Sequence, residues 1–333
     1  VDDLIDAGTY DIEVQGVDNS NDLSGDPVDN SDDVATVTLQ ERGTETFRTW
    51  TAPDGTSVSD LEDVNEALAD GEITQSSEIS NGDVVVHQLV VSGFEGLLDA
   101  QDSESVGNTF LGSRSNNFYN LTVEEADPGA NQDARLVDID SGSPRVIADG
   151  PNDTYFVIFD TDNVQYKNGD PIEDDTSLEA NFTVINNDDS GEDFVNEDEF
   201  DSDENEETFV EYDVVEPDIT VDEPFNVSQA SGQTVSGTTT LAPTTELTLR
   251  VRSQDGVSPS FLKTASPEVQ ADGTFSATFD FSEQSVGDEY DIVVRSGNIV
   301  ETDEEGQVVE SVATATPEPD TATPEPDTAT PEP

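Results

Sequence analysis

The excess of acidic side chains is the feature of this sequence that most constrains its fold. The 333-residue chain carries 78 Asp and Glu against 10 Lys and Arg, which gives a formal net charge of −68. Self-repulsion of this size destabilises a compact state in dilute buffer, whereas molar salt shortens the Debye length to about 3 Å and removes most of the repulsion. The composition therefore predicts a folded protein adapted to very salty water, with an acidic disordered protein as the alternative.

Composition also excludes several functional classes. Cys is absent and His87 is the one histidine, so disulfides, thiolate metal sites and metal sites with two histidines are excluded. A protein that binds nucleic acid needs a basic surface, so we expect no nucleic-acid partner. The sequence has no Gly-X-Ser-X-Gly motif, and His87 is better explained as a hydrogen-bonded strand residue than as a catalytic base. A Ser-His-Asp triad stays open by residue counting alone, but we predict that the protein is not an enzyme.

Apolar residues alternate with polar ones through most of the chain, which predicts a mainly β protein of tandem immunoglobulin-like sandwiches. We expect the end of a preceding β domain at residues 1–41, a mainly β surface domain at 43–186 and an immunoglobulin-like sandwich at 213–300. The surface domain should contain a short helix over residues 60–69, where apolar residues recur at helical spacing. Residues 84–92 are nearly all apolar, which is typical of a strand buried on both faces.

Two segments have the composition of linkers. Residues 187–212 are predicted to form an acidic linker or loop, because twelve of the twenty residues from 188 to 207 are acidic. Residues 301–333 are predicted to form an extended stalk, because Thr-Ala-Thr-Pro-Glu-Pro-Asp begins at Thr314 and repeats from Thr321. Spacers rich in Thr and Pro are typical of O-glycosylated stalks. The chain opens close to a strand and stops inside this repeat, which indicates a piece of a longer protein.

Four Asn-X-Ser/Thr sequons predict N-glycosylation of an exported protein. They begin at Asn120, Asn152, Asn181 and Asn226. Asn181 lies within a predicted strand, so its side chain must face away from the core to be modified. The alternative is chance, because a chain rich in Asn, Ser and Thr contains some sequons without function.

Three clusters of carboxylates are candidate sites for structural Ca²⁺ or Mg²⁺, because these hard cations bind oxygen ligands. The clusters are Asp138 with Asp140, Asp160 with Asp162, and Asp201 with Asp203. None of them completes an EF-hand loop. With 78 acidic residues such clusters also arise by chance, so loose screening by many divalent cations is the alternative.

Three segments near the C-terminus resemble the β-sandwich repeated near the end of haloarchaeal surface-layer glycoproteins. They are Gly232-Gln-Thr-Val-Ser-Gly-Thr-Thr-Thr-Leu-Ala-Pro243, Glu246-Leu-Thr-Leu-Arg-Val-Arg-Ser253 and Asp272-Gly-Thr-Phe-Ser-Ala-Thr-Phe-Asp-Phe281. Residues 83–96 and 179–185 resemble the preceding domain of that family. The Thr/Pro/Glu tail resembles the spacer that precedes the family's C-terminal sorting signal and membrane anchor.

The resemblance implies an exported, glycosylated protein of the cell surface that self-associates into a two-dimensional lattice with the help of divalent cations. It implies a membrane anchor beyond the C-terminus, and it transfers no catalytic residue. The predicted function is therefore a structural subunit of a surface layer. The alternative is an adhesin, a receptor or the binding module of a secreted halophilic protein, because β-sandwiches serve all of these functions.

Overall fold

A computed structural model describes residues 7–14, 33–40, 42–100, 106–113, 119–185, 205–297 and 300–310. Within these residues the strands form six sheets and helices are few, so the prediction of a mainly β protein is confirmed. The sheets belong to an N-terminal hairpin, a central module (residues 42–215) and a C-terminal module (residues 219–309).

The N-terminal hairpin consists of β1 (Gly8–Val14) and β2 (Asp33–Leu39), which pair antiparallel along their full length. Tyr10, Ile12 and Val14 share one face of β1, as the alternation predicts, and Val37 lies opposite Tyr10. All of these apolar side chains are exposed. That this hairpin ends a preceding domain stays a prediction.

The central module contains eleven strands and three helices among the described residues. They are β3 (Thr44–Ala52), α1 (Leu61–Asp70), β4 (Thr74–Gln75), β5 (Glu78–Ser80), β6 (Val84–Val91), α2 (Phe94–Ala100), α3 (Val106–Ser113), β7 (Tyr119–Glu125), β8 (Val137–Asp138), β9 (Arg145–Asp149), β10 (Thr154–Asp160), β11 (Gln165–Tyr166), β12 (Thr176–Val184) and β13 (Glu206–Val215). One sheet has the order β4-β3-β6-β10-β9 and a second has the order β5-β13-β12-β7. A separate small sheet pairs β11 with β8.

Strand β6 lies at the centre of the first sheet and is covered on both faces, as its composition predicts. Val85 and Leu89 point into the large core shared with the second sheet. Val84 and Val86 point the other way, into a smaller core that includes Val64 of α1. Burial on both faces explains why this strand is a continuous apolar run.

Helix α1 confirms the predicted helix and begins and ends at recognisable caps. The carboxylate of Asp60 accepts hydrogen bonds from the backbone N–H groups of Glu62 and Asp63, at 2.9 and 3.1 Å. Gly71 ends the helix with a φ of 76°, a conformation that glycine adopts without steric cost. Both caps are local features, because each depends only on neighbouring residues.

Strand β13 overturns part of the predicted acidic linker. Residues 206–212 were assigned to a loop or linker, but they pair antiparallel with β12 from Glu206 opposite Val184 to Tyr212 opposite Leu178. Tyr212 and Val214 are buried in the core of the central module. The prediction was wrong because one face of this strand is solvated, so a high density of carboxylates is compatible with sheet pairing. Residues 186–204 lie outside the described residues.

The C-terminal module consists of two mainly antiparallel sheets that face each other across one core. Its strands are β14 (Ile219–Val221), β15 (Val227–Ser228), β16 (Gln233–Thr239), β17 (Thr248–Ser253), β18 (Leu262–Ala265), β19 (Thr274–Phe279), β20 (Glu289–Ser296) and β21 (Val300–Val309). The orders are β14-β16-β19 and β15-β21-β20-β17-β18, with β15 parallel to β21. Leu249, Phe275 and Tyr290 lie in the core between the sheets, as the alternation of their strands predicts.

Strand β21 overturns the first part of the predicted stalk. Residues 301–309 were assigned to an extended stalk, but they pair with β20 from Val300 opposite Ser296 to Gln307 opposite Glu289. Val308 is fully buried, while Asp303 and Glu305 point to solvent. The acidic composition of this strand indicated a linker, so the sequence did not reveal that the strand pairs in a sheet. Residues 311–333, with the Thr/Pro repeat, lie outside the described residues.

Candidate glycosylation sites and cation ligands

Two of the four predicted sequons lie side by side on the outer face of one sheet. Asn120 is on β7 and Asn181 is on β12, and both alternate with buried residues that face the core. In the antiparallel register Asn120 is opposite Thr183, and Asn181 is opposite Thr122. Each asparagine therefore lies opposite the threonine of the other sequon. Asn181 faces away from the core, which was the condition for its modification.

The carboxamide of Asn181 is already engaged in hydrogen bonds on this face. Its Oδ1 accepts a hydrogen bond of 3.0 Å from the hydroxyl of Thr183. The same side chain also bonds the carboxylate of Glu179, whose pKa is nevertheless raised because it is partly desolvated and lies beside Glu124 and Glu211. Asn181 is half-buried and fixed in the middle of a paired strand.

The other two sequons are in exposed loops. Asn152 ends a single 3-10 turn before β10, and its Nδ2 donates to Asp149 at 2.7 Å. Asn226 directly precedes β15, and its Oδ1 accepts a hydrogen bond of 2.9 Å from the backbone N–H of Gln307. Both asparagines are exposed. A bulky glycan at either position would project into solvent without displacing a strand.

The structure brings two of the predicted carboxylate pairs to neighbouring turns. Asp138 ends β8 and Asp140 lies in the 3-10 turn that follows. Asp160 ends β10, and Asp162 lies in the corresponding turn after that strand. The two turns pack closely, since a Cβ on Gly142 in the first turn would lie 2.9 Å from the carbonyl oxygen of Asp160.

These carboxylates do not converge on a common point. Among the residues that the structure describes, no group of three or more Asp, Glu or His side chains has the geometry to hold a metal ion. Asp201 and Asp203 lie outside the described residues. Specific cation binding at the three predicted clusters therefore stays a prediction.

His87 is a core residue of the central module. It is fully buried on β6, between the rings of Phe47, Phe159 and Tyr212, whose centroids lie 5.2 to 5.5 Å from that of the imidazole. Its Nδ1 lies 3.2 Å from the hydroxyl of Thr49. Burial lowers the pKa of His87 to about 3, so the imidazole is neutral at ordinary pH. The interpretation of His87 as a hydrogen-bonded strand residue is confirmed.

Asp83 is a buried carboxylate that sequence reasoning missed. It is 1% exposed, and its Oδ2 accepts a hydrogen bond of 2.7 Å from the backbone N–H of Ala242 in the C-terminal module. Burial raises the pKa of Asp83 to about 7, and the neighbouring Asp54 and Asp162 add to this shift. The position gave no signal in the sequence, because one Asp among 78 acidic residues is unremarkable and its partner is 159 residues away.

Comparison with known proteins relates the chain to a class of archaeal surface proteins. It is 41% identical over 326 residues to the cell surface glycoprotein of Haloferax gibbonsii, a match that covers 94% of this chain and 35% of that protein. It is 31% identical over 337 residues to cell surface glycoprotein 1 of Haloarcula hispanica, covering 93% and 34%. The chain is thus a homologue of the haloarchaeal cell surface glycoproteins, which confirms the resemblance inferred from its motifs. It spans about a third of the length of the curated relatives it matches.

Other comparisons add little to this relationship. No family model matches the chain. A tetra-tandem repeat from the extending region of a large adhesion protein aligns over 83% of this chain and 52% of its own length. Its sequence identity is 14% and its TM-score is 0.25.

Within the described part of the chain, no helix is both long enough and apolar enough to cross a membrane.

Proposed function

We propose that this chain is part of a structural glycoprotein of the haloarchaeal cell surface, where copies assemble into a two-dimensional lattice outside the cell. The observation that carries the proposal is the 41% identity to a haloarchaeal cell surface glycoprotein over 94% of the chain. A structural role agrees with the burial of the single histidine and with the tandem β modules. We further propose that the C-terminal module has an immunoglobulin-like topology.

In this proposal, divalent cations reduce the repulsion between the acidic surfaces of neighbouring subunits. Like charges across an interface are strongly unfavourable, so subunits that contain this chain, with its net charge of −68, need screening or bridging before they can touch. Ca²⁺ or Mg²⁺ shared between carboxylates of neighbouring molecules would supply this screening or bridging. Such a site would take its ligands from two copies.

The sequons are the proposed attachment sites for N-linked glycans. We propose that Asn152 and Asn226 carry N-glycans, because both are exposed in loops, whereas Asn120 and Asn181 lie within paired strands. The Thr/Pro repeat is proposed to be an O-glycosylated stalk that leads to a membrane anchor beyond residue 333. In polyproline II conformation it would hold the β modules away from the membrane.

The proposal is tested by assembly of the full-length protein. Negative-stain imaging and sedimentation in about 3 M salt, with and without millimolar Ca²⁺, should show sheets that form reversibly when the cation is present. A monomer under both conditions would contradict the lattice. The protein would then be better explained as a surface adhesin or receptor, and a screen against glycans and proteins would follow.

A further inference from the structure

An exposed pair of arginines lies on the outer face of the C-terminal module. Arg250 and Arg252 on β17 alternate with the buried Leu249 and Val251, so both guanidinium groups point away from the core. Within the described residues, neither side chain forms a hydrogen bond or an ion pair. Asp291 lies opposite Arg252 on β20, but its carboxylate accepts a hydrogen bond of 2.7 Å from Gln254 instead.

The segment of chain that carries this pair is poor in acid, although Asp291 on β20 and Asp303 and Glu305 on β21 share the same outer face. Asp255 is the one acidic residue between positions 247 and 267 of a chain with 78 acids. Leu262 on the edge strand β18 lies opposite Arg252 and is 64% exposed. We call Arg250, Arg252 and Leu262 the arginine face. It combines two unpaired cations with an exposed apolar side chain, as protein interfaces often do.

A complementary surface lies on the central module. Glu124, Glu179 and Glu211 are directly opposite one another on β7, β12 and β13, and we call them the glutamate row. Like charges in this arrangement destabilise a sheet. Burial and both neighbours raise the pKa of Glu179. Among the described residues, no Lys or Arg forms an ion pair with the row. Phe209, two residues before Glu211 on the same face of β13, is 60% exposed.

We propose that the arginine face of one molecule docks on the glutamate row and Phe209 of a second copy. The inference rests on the proposed lattice function and names one of its contacts. Arg forms bidentate hydrogen bonds with carboxylates, and such contacts persist when molar salt has reduced the Debye length to about 3 Å. A contact between two different surfaces of identical chains is heterologous, and contacts of this kind build closed rings or open filaments.

The proposed contact has a consequence for glycosylation. Asn181 lies between Glu179 and Phe209, since it is next along the outer face of β12 and opposite Phe209. A glycan at this asparagine would cover the glutamate row. The contact therefore requires that Asn181 stays unmodified, which glycopeptide mass spectrometry of the native protein measures directly.

The docking is tested by charge reversal in the full-length protein. We expect R250E/R252E and E179R/E211R each to raise the concentration needed for assembly at least tenfold in about 3 M salt. The combined variant should recover assembly, because both surfaces are then reversed together. E62R/E66R is the matched control for E179R/E211R, since it reverses two exposed glutamates on α1, away from both surfaces. Thermal melts of each variant verify that it folds.

The outcomes separate this inference from the proposed function. Normal assembly of R250E/R252E, no recovery in the combined variant, or a glycan on Asn181 would overturn the docking and leave the lattice standing. A wild-type protein that forms no sheets would overturn the lattice function and this contact with it.

Discussion

The hydroxyl of Tyr290 donates a hydrogen bond of 2.7 Å to the carbonyl oxygen of Phe225, and β21 passes directly over this contact. Gly306 on β21 lies opposite Tyr290, and a Cβ at this glycine would lie 2.5 Å from the Tyr290 ring and in contact with the Phe225 carbonyl. The close approach explains why glycine occupies a strand interior here. It also ties β21, which the sequence assigned to a stalk, to the core of the C-terminal module.

Gly306→Ala should therefore destabilise the C-terminal module. The added methyl group must displace either the tyrosine ring or the backbone, and overpacking of this kind costs about 2–3 kcal/mol. Thermal unfolding in high salt measures the effect. Gly96→Ala is the control, because nothing lies within 4 Å of a Cβ at this position of α2 and alanine favours the helix. Equal melting temperatures for the two variants would contradict the packing of β21.

Asp83 should make the junction between the two modules sensitive to pH. Its pKa in the folded state is raised to about 7 from an ordinary value of 3.8, so the folded protein holds the proton more tightly than the unfolded chain does. Stability should consequently rise by about 2–4 kcal/mol as pH falls from above 7 towards 4. Asp83→Asn should remove this dependence, because the amide cannot titrate.

The experiment compares unfolding free energies of wild type and Asp83→Asn across this pH range at constant salt. Asp255→Asn, which removes a carboxylate from an exposed loop, should keep the wild-type dependence. If the unfolding free energies of wild type and Asp83→Asn change in parallel with pH, the buried carboxylate is not the source of the pH dependence.

His87 should remain neutral throughout the range in which an ordinary histidine titrates. Burial lowers its pKa from 6.5 to about 3. Its stabilising contribution is complete above about pH 6.5 and is lost as pH falls from there towards 3, the opposite sign to Asp83. Because the chain has one histidine, a single set of imidazole proton resonances reports on it.

We expect the His87 resonances of the folded protein to stay constant between about pH 8 and pH 5. In denaturant the same resonances should titrate near 6.5, which serves as the control. A midpoint near 6.5 in the folded protein would mean that solvent reaches the imidazole.

Stability of the whole chain should depend strongly on salt. With a net charge of −68, removal of screening restores repulsion across the entire surface. The melting temperature should fall steeply between about 3 M and 0.1 M salt. Sucrose at matched osmolality is the control, because it favours compact states without screening charge. A melting temperature that does not change with salt would refute the proposed adaptation.

Local patterns in the sequence were sufficient for most of the strands and for α1. The alternation in Glu289–Ser296 and the unbroken apolar run of β6 each depend on residues a few positions apart. The caps of α1 at Asp60 and Gly71 are equally local. The same patterns did not predict β13 and β21. Their acidic composition indicated a loop or a stalk, whereas a strand in a sheet needs apolar residues on only one face.

The sequence by itself determined the mainly β class, the charge on which the proposed adaptation to salt rests, and the positions of the four sequons, because charge, alternation and short motifs are local properties. Only the tertiary structure decided that Asn120 and Asn181 lie side by side, that Asp83 bonds Ala242 across two modules, and that three glutamates share one row. These relationships depend on strand register and on the packing of segments distant in sequence. In so acidic a chain, no single carboxylate reveals its partner until the fold brings the two together.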